Sequence, residues 1–255
     1  MTKETTDLSK PDLTVVLTTA QSCSGIKRTV AALVSQTIVN RLELLIVSPD
    51  AEVANVFKRE LSAFHSWRLI TREVTNVDFA VALHIGQARA DFAAAIEDHA
   101  YPEPEWAEAI VVATADDVAA IGSVMVNANP HFWTSWANML IAYGSYSEAT
   151  PDGPIDFIAI HNGVFRTALL RQFGETLTQK FNREGFVLKE MKEAGAVFRF
   201  AQNARVRHLN PSSFGATFRL RFDAGRLYAA NRAESESWTV YKRIFYIVLG
   251  PAIPF

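Results

Sequence analysis

Three neighbouring residues, Glu97, Asp98 and His99, put two carboxylates and an imidazole where an apolar run, FAAAI (92–96), stops. Carboxylate oxygen and imidazole nitrogen together suit a divalent ion such as Mg2+ or Mn2+. An ion held there could neutralise the concentrated negative charge of a diphosphate as it leaves. Taken alone, the triplet has a plainer reading, an acidic turn ahead of the helix that opens after PEPEW (102–106). Other chemistry-bearing groups lie far away along the chain. Asp50 closes LELLIVSPD (42–50), and Glu184 stands in NREGFVLKEMKEAG (182–195). His208 stands in RVRHLN (205–210), and His161-Asn162 in IAIHNGVFRTALL (158–170).

Only a fold can bring such groups together, and the hydrophobic pattern says which. LTVVLTT (13–19) and LELLIVS (42–48) are β-branched, apolar runs typical of strands buried on both faces. Between them, Ile26, Val30, Leu33 and Val34 recur at helical spacing. Val53 to Phe64 reads as a second helix, and ADFAAAIED (90–98) as a further strand, although its alanines would also suit a helix. Residues 103–116 read as a helix, 121–129 as a strand and the aromatic-rich 131–147 as a helix. Residues 156–174 read as a strand, a polar tip and a short helix. Residues 186–195 form an amphipathic helix ending at Gly195, and 196–210 a strand. Strands alternating with helices predict an α/β domain on a mostly parallel, Rossmann-like sheet. Ligands then collect beyond the carboxyl ends of the strands, where Glu97, Asp98 and His99 would sit.

The chain of 255 residues, 49% hydrophobic, can bury one large core. Its formal net charge of −2, with both signs interspersed, gives no electrostatic case for nucleic acid. The single cysteine, Cys23, excludes an internal disulfide framework and a Cys-rich zinc site, and fits a cytoplasmic setting. GxxxxGK[ST], GxGxxG after a strand, HExxH and GxSxG are all missing. Residues 1–11 read as a flexible lead-in. The end of the chain, WTVYKRIFYIVLGPAIPF (238–255), is apolar and aromatic apart from Lys242 and Arg243. It falls short of the about 18 apolar residues of a membrane span. A final buried strand or helix, a peripheral contact with the inner face of a membrane, and truncation of a longer tail all remain open.

Several segments, in order, resemble family-2 glycosyltransferases. TVVLTTAQ (14–21) is similar to that family's first strand and turn, TVAALVSQTIVNRLELLIVSPD (29–50) to its next helix and strand, and ARADFAAAIEDHAYPEPEWAEAI (88–110) to its Asp-x-Asp segment. The resemblance runs from about residue 12 to 232 and implies a single GT-A domain, with residues 233–255 as a tail. It implies an inverting enzyme that moves a sugar from a nucleotide-diphosphate donor to a hydroxyl of a saccharide or lipid-linked acceptor, with Mn2+ or Mg2+. Thr19 and Asp50 would hold the nucleotide, with Glu97 and Asp98 on the donor. Asp98, His99 and His208 would hold the metal, and Glu184 would be the base that takes the acceptor's proton. His161, Asn162 and Trp136 would face the acceptor. Trp136 and its neighbours Phe132 and Trp133 read mainly as core residues.

The resemblance is incomplete: Ser48-Pro49 stands at an expected acidic pair, Arg183 at an expected acid, and Leu83-His84 at an expected Arg-Asn. These departures motivate an alternative, a catalytically silent GT-A domain that binds a saccharide or a partner. A nucleotidyltransferase would need a phosphate loop after the first strand, of which SCSGIKR (22–28) is a poor version.

Overall fold

The computed structural model describes residues 9–181 and 186–249. Chain packing divides them into two compact units that part after Asn210. The first unit is built on a nine-stranded sheet. Its strands are β1 (Leu13–Thr18), β2 (Leu42–Ser48), β3 (Ser66–Thr71), β4 (Phe92–Glu97), β5 (Ala100–Pro102), β6 (Val118–Asn127), β7 (Gly153–Ile155), β8 (Val164–Arg166) and β9 (Val197–His208). The order across the sheet is β3-β2-β1-β4-β8-β6-β9-β5, with β7 also on β9. The β1–β2, β1–β4, β2–β3 and β6–β9 pairs are parallel. The three short strands β5, β7 and β8 pair antiparallel with their neighbours.

Alternation of side chains along each strand explains the core. Leu13, Val15 and Leu17 of β1, with Leu42, Leu44 and Ile46 of β2, enter one apolar layer. Helices Cys23–Val34 and Trp106–Ala113 cover that layer. Val16, Leu45, Val47, Ala93 and Ala95 enter the other layer, with Ala80, Val81 and Ile85 of the helix Val77–Ile85 and with Phe181, Leu188 and Met191. The alanines of β4 belong to a strand sandwiched between the two layers, which settles the helix-or-strand ambiguity there.

Expectation and structure differ in places. The helix expected over Val53–Phe64 is two short pieces, Val53–Val56 and Lys58–Leu61. Strand β3 was not foreseen, because SWRLIT carries an arginine and is only partly buried at the sheet edge. Phe132, Trp133 and Trp136 are not core residues: all are exposed, Trp133 at 71%. The helix Trp133–Tyr143 turns Ser135, Met139 and Tyr143 inward at a four-residue spacing, and the tryptophans lie off that face.

The second unit holds two helices, Phe214–Ser235 and Val240–Leu249. The Glu236 carboxylate pins the corner between them, accepting from Arg232 at 2.8 Å, Trp238 Nε1 at 2.7 Å and Lys242 at 3.0 Å. Within the apolar end, Val240–Leu249 is helical and none of its residues is buried, which does not match the reading of a final buried element. Among the described residues, no helix is long and apolar enough to cross a membrane.

Candidate functional site

Backbone registers alone gather the site. Thr18 of β1 pairs with Glu97 of β4, which puts Thr19 beside Asp98. Ala94 of β4 pairs with Val164 of β8, and Ala95 N donates to Gly163 O at 2.9 Å, which brings Asn162 up to Glu97. Ala100 of β5 pairs with His208 of β9, and Leu209 N donates to His99 O at 3.0 Å, which sets His99 against His208. Asn127, the last residue of β6, pairs with the same His208. Residues spread from 19 to 210 therefore meet at one edge because β1, β4, β6 and β9 end there and the antiparallel β5 and β8 begin there.

The turn that carries Asn162 needs two particular residues. Asn162 has φ of 61°, in the left-handed region that asparagine tolerates better than most side chains. A Cβ on Gly163 would stand 2.5 Å from the Ala159 carbonyl oxygen, so only glycine fits.

Glu97 is the hub. Its Oε2 accepts from Asn162 Nδ2 at 2.8 Å, lies 3.1 Å from His208 Nε2, and is 3.5 Å from the Tyr143 hydroxyl. Its Oε1 lies 3.7 Å from His161 Nδ1 and 3.9 Å from His99 Nε2. Burial by itself would raise the Glu97 carboxyl, but His161, the hydrogen bond from His208 and the nearby His99 more than reverse this. The group is held far below the ordinary carboxylate range.

Glu97, His99 and His208 each point one ligand atom at the others, all within 4.8 Å. Six-coordinate ligands at about 2.1 Å sit roughly 3 Å apart around a small divalent ion, so gaps of this size need little closure. One carboxylate and two imidazoles form a donor set that fits Mn2+ and later divalent metals better than the all-oxygen surroundings Mg2+ prefers.

Asp98 does not join this group. Its Oδ1 holds His99 Nδ1 at 2.8 Å, and its Oδ2 accepts from Thr19 Oγ1 at 2.7 Å. Burial opposes the charge on Asp98, yet the bonds from His99 and Thr19 lower its carboxyl, while burial of His99 is outweighed by Asp98 and Glu97, which raise that imidazole. Thr19 is fully buried and its hydroxyl also accepts from Gln21 N at 2.9 Å, so that hydroxyl supports Asp98.

Asp50 accepts from Cys23 N at 3.2 Å and Cys23 Sγ at 3.1 Å, and from Glu52 N at 3.0 Å. It ties the strand β2 exit to the start of the helix Cys23–Val34. The Cys23 bonds lower its carboxyl, while burial and Asp50 push the Cys23 thiol up to about 11.

The acceptor-side expectations fare differently from one another. Asn162 is 1% exposed, and its Oδ1 accepts from Glu97 N at 3.2 Å while its Nδ2 donates to Glu97 Oε2, so its side chain clamps Glu97. His161 is partly exposed beside Glu97. Trp136 exposes its ring and spends its indole N–H on Pro130 O at 2.9 Å. Glu184, the expected base, lies outside the described residues. Sequence reading missed Tyr143, Asn127, Asn129, Ser135 and Asn210. The available signal was positional: VNAN (126–129) and HLN (208–210) both place asparagines where strands end.

No protein-family model and no curated protein sequence matches the chain. Solved structures do. A mannosyltransferase, PcManGT from Pyrobaculum calidifontis, in complex with GDP-Man and Mn2+, superposes with a TM-score of 0.58 at 13% identity over 91% of this chain and 66% of that one. GalNAc-T7 with UDP, GalNAc and Mn2+ gives 0.59 at 11% identity over 81% and 44%. TarS 1-349 from S. aureus with UDP-GlcNAc gives 0.60 at 11% identity over 79% and 59%. This chain spans from under half to about two thirds of the length of these structures. The fold is therefore the GT-A fold of these structures.

Proposed function

We propose that the protein is a metal-dependent glycosyltransferase that uses a nucleotide-diphosphate sugar and inverts the anomeric centre. The observation that carries this reading is the convergence of Glu97, His99 and His208 at the carboxyl edge of a GT-A sheet. The similar structures support it, because their bound molecules are GDP-Man, UDP-GlcNAc or UDP, two of them with Mn2+.

In this reading Glu97, His99 and His208 hold a divalent ion, which when bound offsets the diphosphate charge. Asn162 keeps Glu97 aimed, and Asp98 with Thr19 keeps His99 aimed. Glu184 would take the proton of the attacking hydroxyl, a role that rests on the sequence resemblance. One displacement with one base inverts the anomeric carbon.

The test is a panel of sugar nucleotides with Mn2+, read by release of nucleoside diphosphate and by calorimetry. Release that depends on Mn2+ is expected for one donor. Neither release nor binding for any donor would leave a silent domain as the better reading.

We further infer that the acceptor is reached at a lipid surface. Residues 211–255 carry six basic and three acidic residues, against a net −2 for the whole chain. The helix Val240–Leu249 exposes Tyr241, Ile244, Ile247 and Val248. An amphipathic helix of this kind with basic residues suits an anionic interface. Flotation with anionic vesicles should be lost in Ile244→Asp/Ile247→Asp; equal flotation of both proteins, or none with either, would sink the idea.

A further inference from the structure

His208 sits in a net of neutral groups whose orientations are fixed by the backbone. Asn129 Oδ1 accepts from Asn210 N at 3.0 Å, and Asn129 Nδ2 donates to Asn210 O at 2.7 Å. A backbone donor and a backbone acceptor leave only one way to place that amide. Asn127 Oδ1 accepts from Asn129 N at 3.0 Å, which orients the second amide.

The third amide, Asn210, then has no choice either. Its Nδ2 lies against acceptors only: His208 O at 3.2 Å, Asn127 Oδ1 at 3.3 Å and Met139 Sδ at 3.8 Å. Flipping it would set oxygen against oxygen. Its Oδ1 therefore faces His208 Nδ1, 3.0 Å away. An amide oxygen can only accept, so the proton lies on Nδ1. The other ring nitrogen, Nε2, is then the one directed at Glu97 Oε2, 3.1 Å away. Asn127, Asn210, Ser135 and His208 are all buried, so water does not compete for these bonds.

We propose that Asn210 is a positioning residue that holds His208 in the tautomer protonated on Nδ1, so that Nε2 is presented as a ready metal ligand beside Glu97 and His99. The proposal rests on reading those three residues as the metal site. Nε2 and the Glu97 oxygen face each other with the Tyr143 hydroxyl 3.4 and 3.5 Å away, and a divalent ion bound by both takes the place of any proton they share. The net thus keeps the pocket poised for a divalent ion. The same arrangement recurs on the other side, where Asp98 takes Nδ1 of His99 and leaves Nε2 toward Glu97. Partners of this type, one shell behind the ligands, typically change metal affinity by about 10–100-fold when removed.

The test uses two readouts. Metal-free protein labelled with 15N-histidine gives the His208 tautomer by long-range proton–nitrogen correlation, with His208→Gln assigning the signal. The wild type should carry its proton on Nδ1. Asn210→Ala should lose that single form and bind Mn2+, measured by electron paramagnetic resonance, at least about 10-fold more weakly. Ser135→Ala, which leaves the Asn210–His208 bond in place, should lower stability while keeping the tautomer. Wild-type protein that takes up no Mn2+ overturns the metal reading. Wild-type protein that binds Mn2+ with no proton on His208 Nδ1, or an Asn210→Ala variant that binds Mn2+ as tightly as wild type, overturns the role of Asn210 alone. The wild-type spectrum decides the point even if Asn210→Ala fails to fold.

Discussion

The two histidines of the site are steadied by opposite means. His99 stands on the two-residue turn between β4 and β5, with its side chain 38% exposed, and a carboxylate, Asp98, backs its Nδ1. His208 ends the long strand β9, with its side chain 8% exposed, and a neutral amide, Asn210, backs its Nδ1. Asp98 is itself only 12% exposed, and it keeps its charge because Thr19 and His99 bond its two oxygens. At Asn210 an additional carboxylate near Glu97 would be a buried, repelled charge set against acceptor atoms. The comparison teaches that the same task, turning Nε2 toward Glu97, is solved by a hydrogen-bonded charge behind the more exposed ring and by neutral amides behind the buried one.

The largest expected effect removes what the two histidines share. Glu97→Ala deletes the carboxylate facing both Nε2 atoms and leaves the Asn162 amide without its acceptor. Mn2+ affinity should fall by more than the roughly 100-fold upper end seen for outer-shell changes. Retained binding in a calorimetric titration would mean that the metal, if any, is held elsewhere. Next comes the exchange that makes the supports alike in the wrong place. Asn210→Asp sets a carboxylate oxygen against Asn127 Oδ1 and His208 O. A loss of about 2–3 kcal/mol in denaturant unfolding is expected, the cost of unpaired buried polar groups. An unchanged midpoint would show that charge is tolerated there and that the contrast with His99 has no energetic basis.

Much of the fold was legible because it is written in local patterns. β1, β2, β4 and β6 are dense apolar runs between helical repeats, and sheets of this kind place ligands at strand ends. Edge strand β3 and the three-residue strands β5, β7 and β8 carry too few residues in too mixed a pattern to stand out. The exposed tryptophans misled because size alone argues for burial, whereas the helix face was decided by Ser135, Met139 and Tyr143. Within the site, the triplet at 97–99 was visible as a group, but the division of labour inside it was not. That division depends on which neighbour reaches each atom: Thr19 and His99 occupy Asp98, which frees Glu97 for the centre. The asparagines at 127, 129 and 210 gave no signal beyond their places at strand ends, since amide networks have no spacing rule.

A milder exchange sharpens the comparison from the other side. Asp98→Asn gives His99 the neutral support that His208 already has, and keeps an oxygen for Nδ1. Mn2+ affinity should drop about 10-fold, the lower end for such partners, with little change in stability because the amide keeps the shape and an oxygen for His99 Nδ1. A drop as large as that of Glu97→Ala would return Asp98 to the metal itself.

The smallest effect tests how far the support of His99 extends. Thr19→Val keeps the shape of a fully buried side chain but removes the hydroxyl that donates to Asp98 Oδ2 and accepts from Gln21 N. Asp98 would still hold His99, only less firmly, so Mn2+ affinity should fall by less than the about 10-fold expected of the partner in direct contact with the ligand. Residues that act through one another are not additive. In the Asp98→Asn background, Thr19→Val should therefore change Mn2+ binding hardly at all. The nucleotide gives the opposing outcome. If Thr19 touches the donor, as the sequence resemblance implies, Thr19→Val would weaken nucleoside diphosphate binding by a similar factor in both backgrounds while Mn2+ affinity in the absence of nucleotide stays put. Two titrations on four proteins separate a threonine that steadies Asp98 from one that holds the nucleotide.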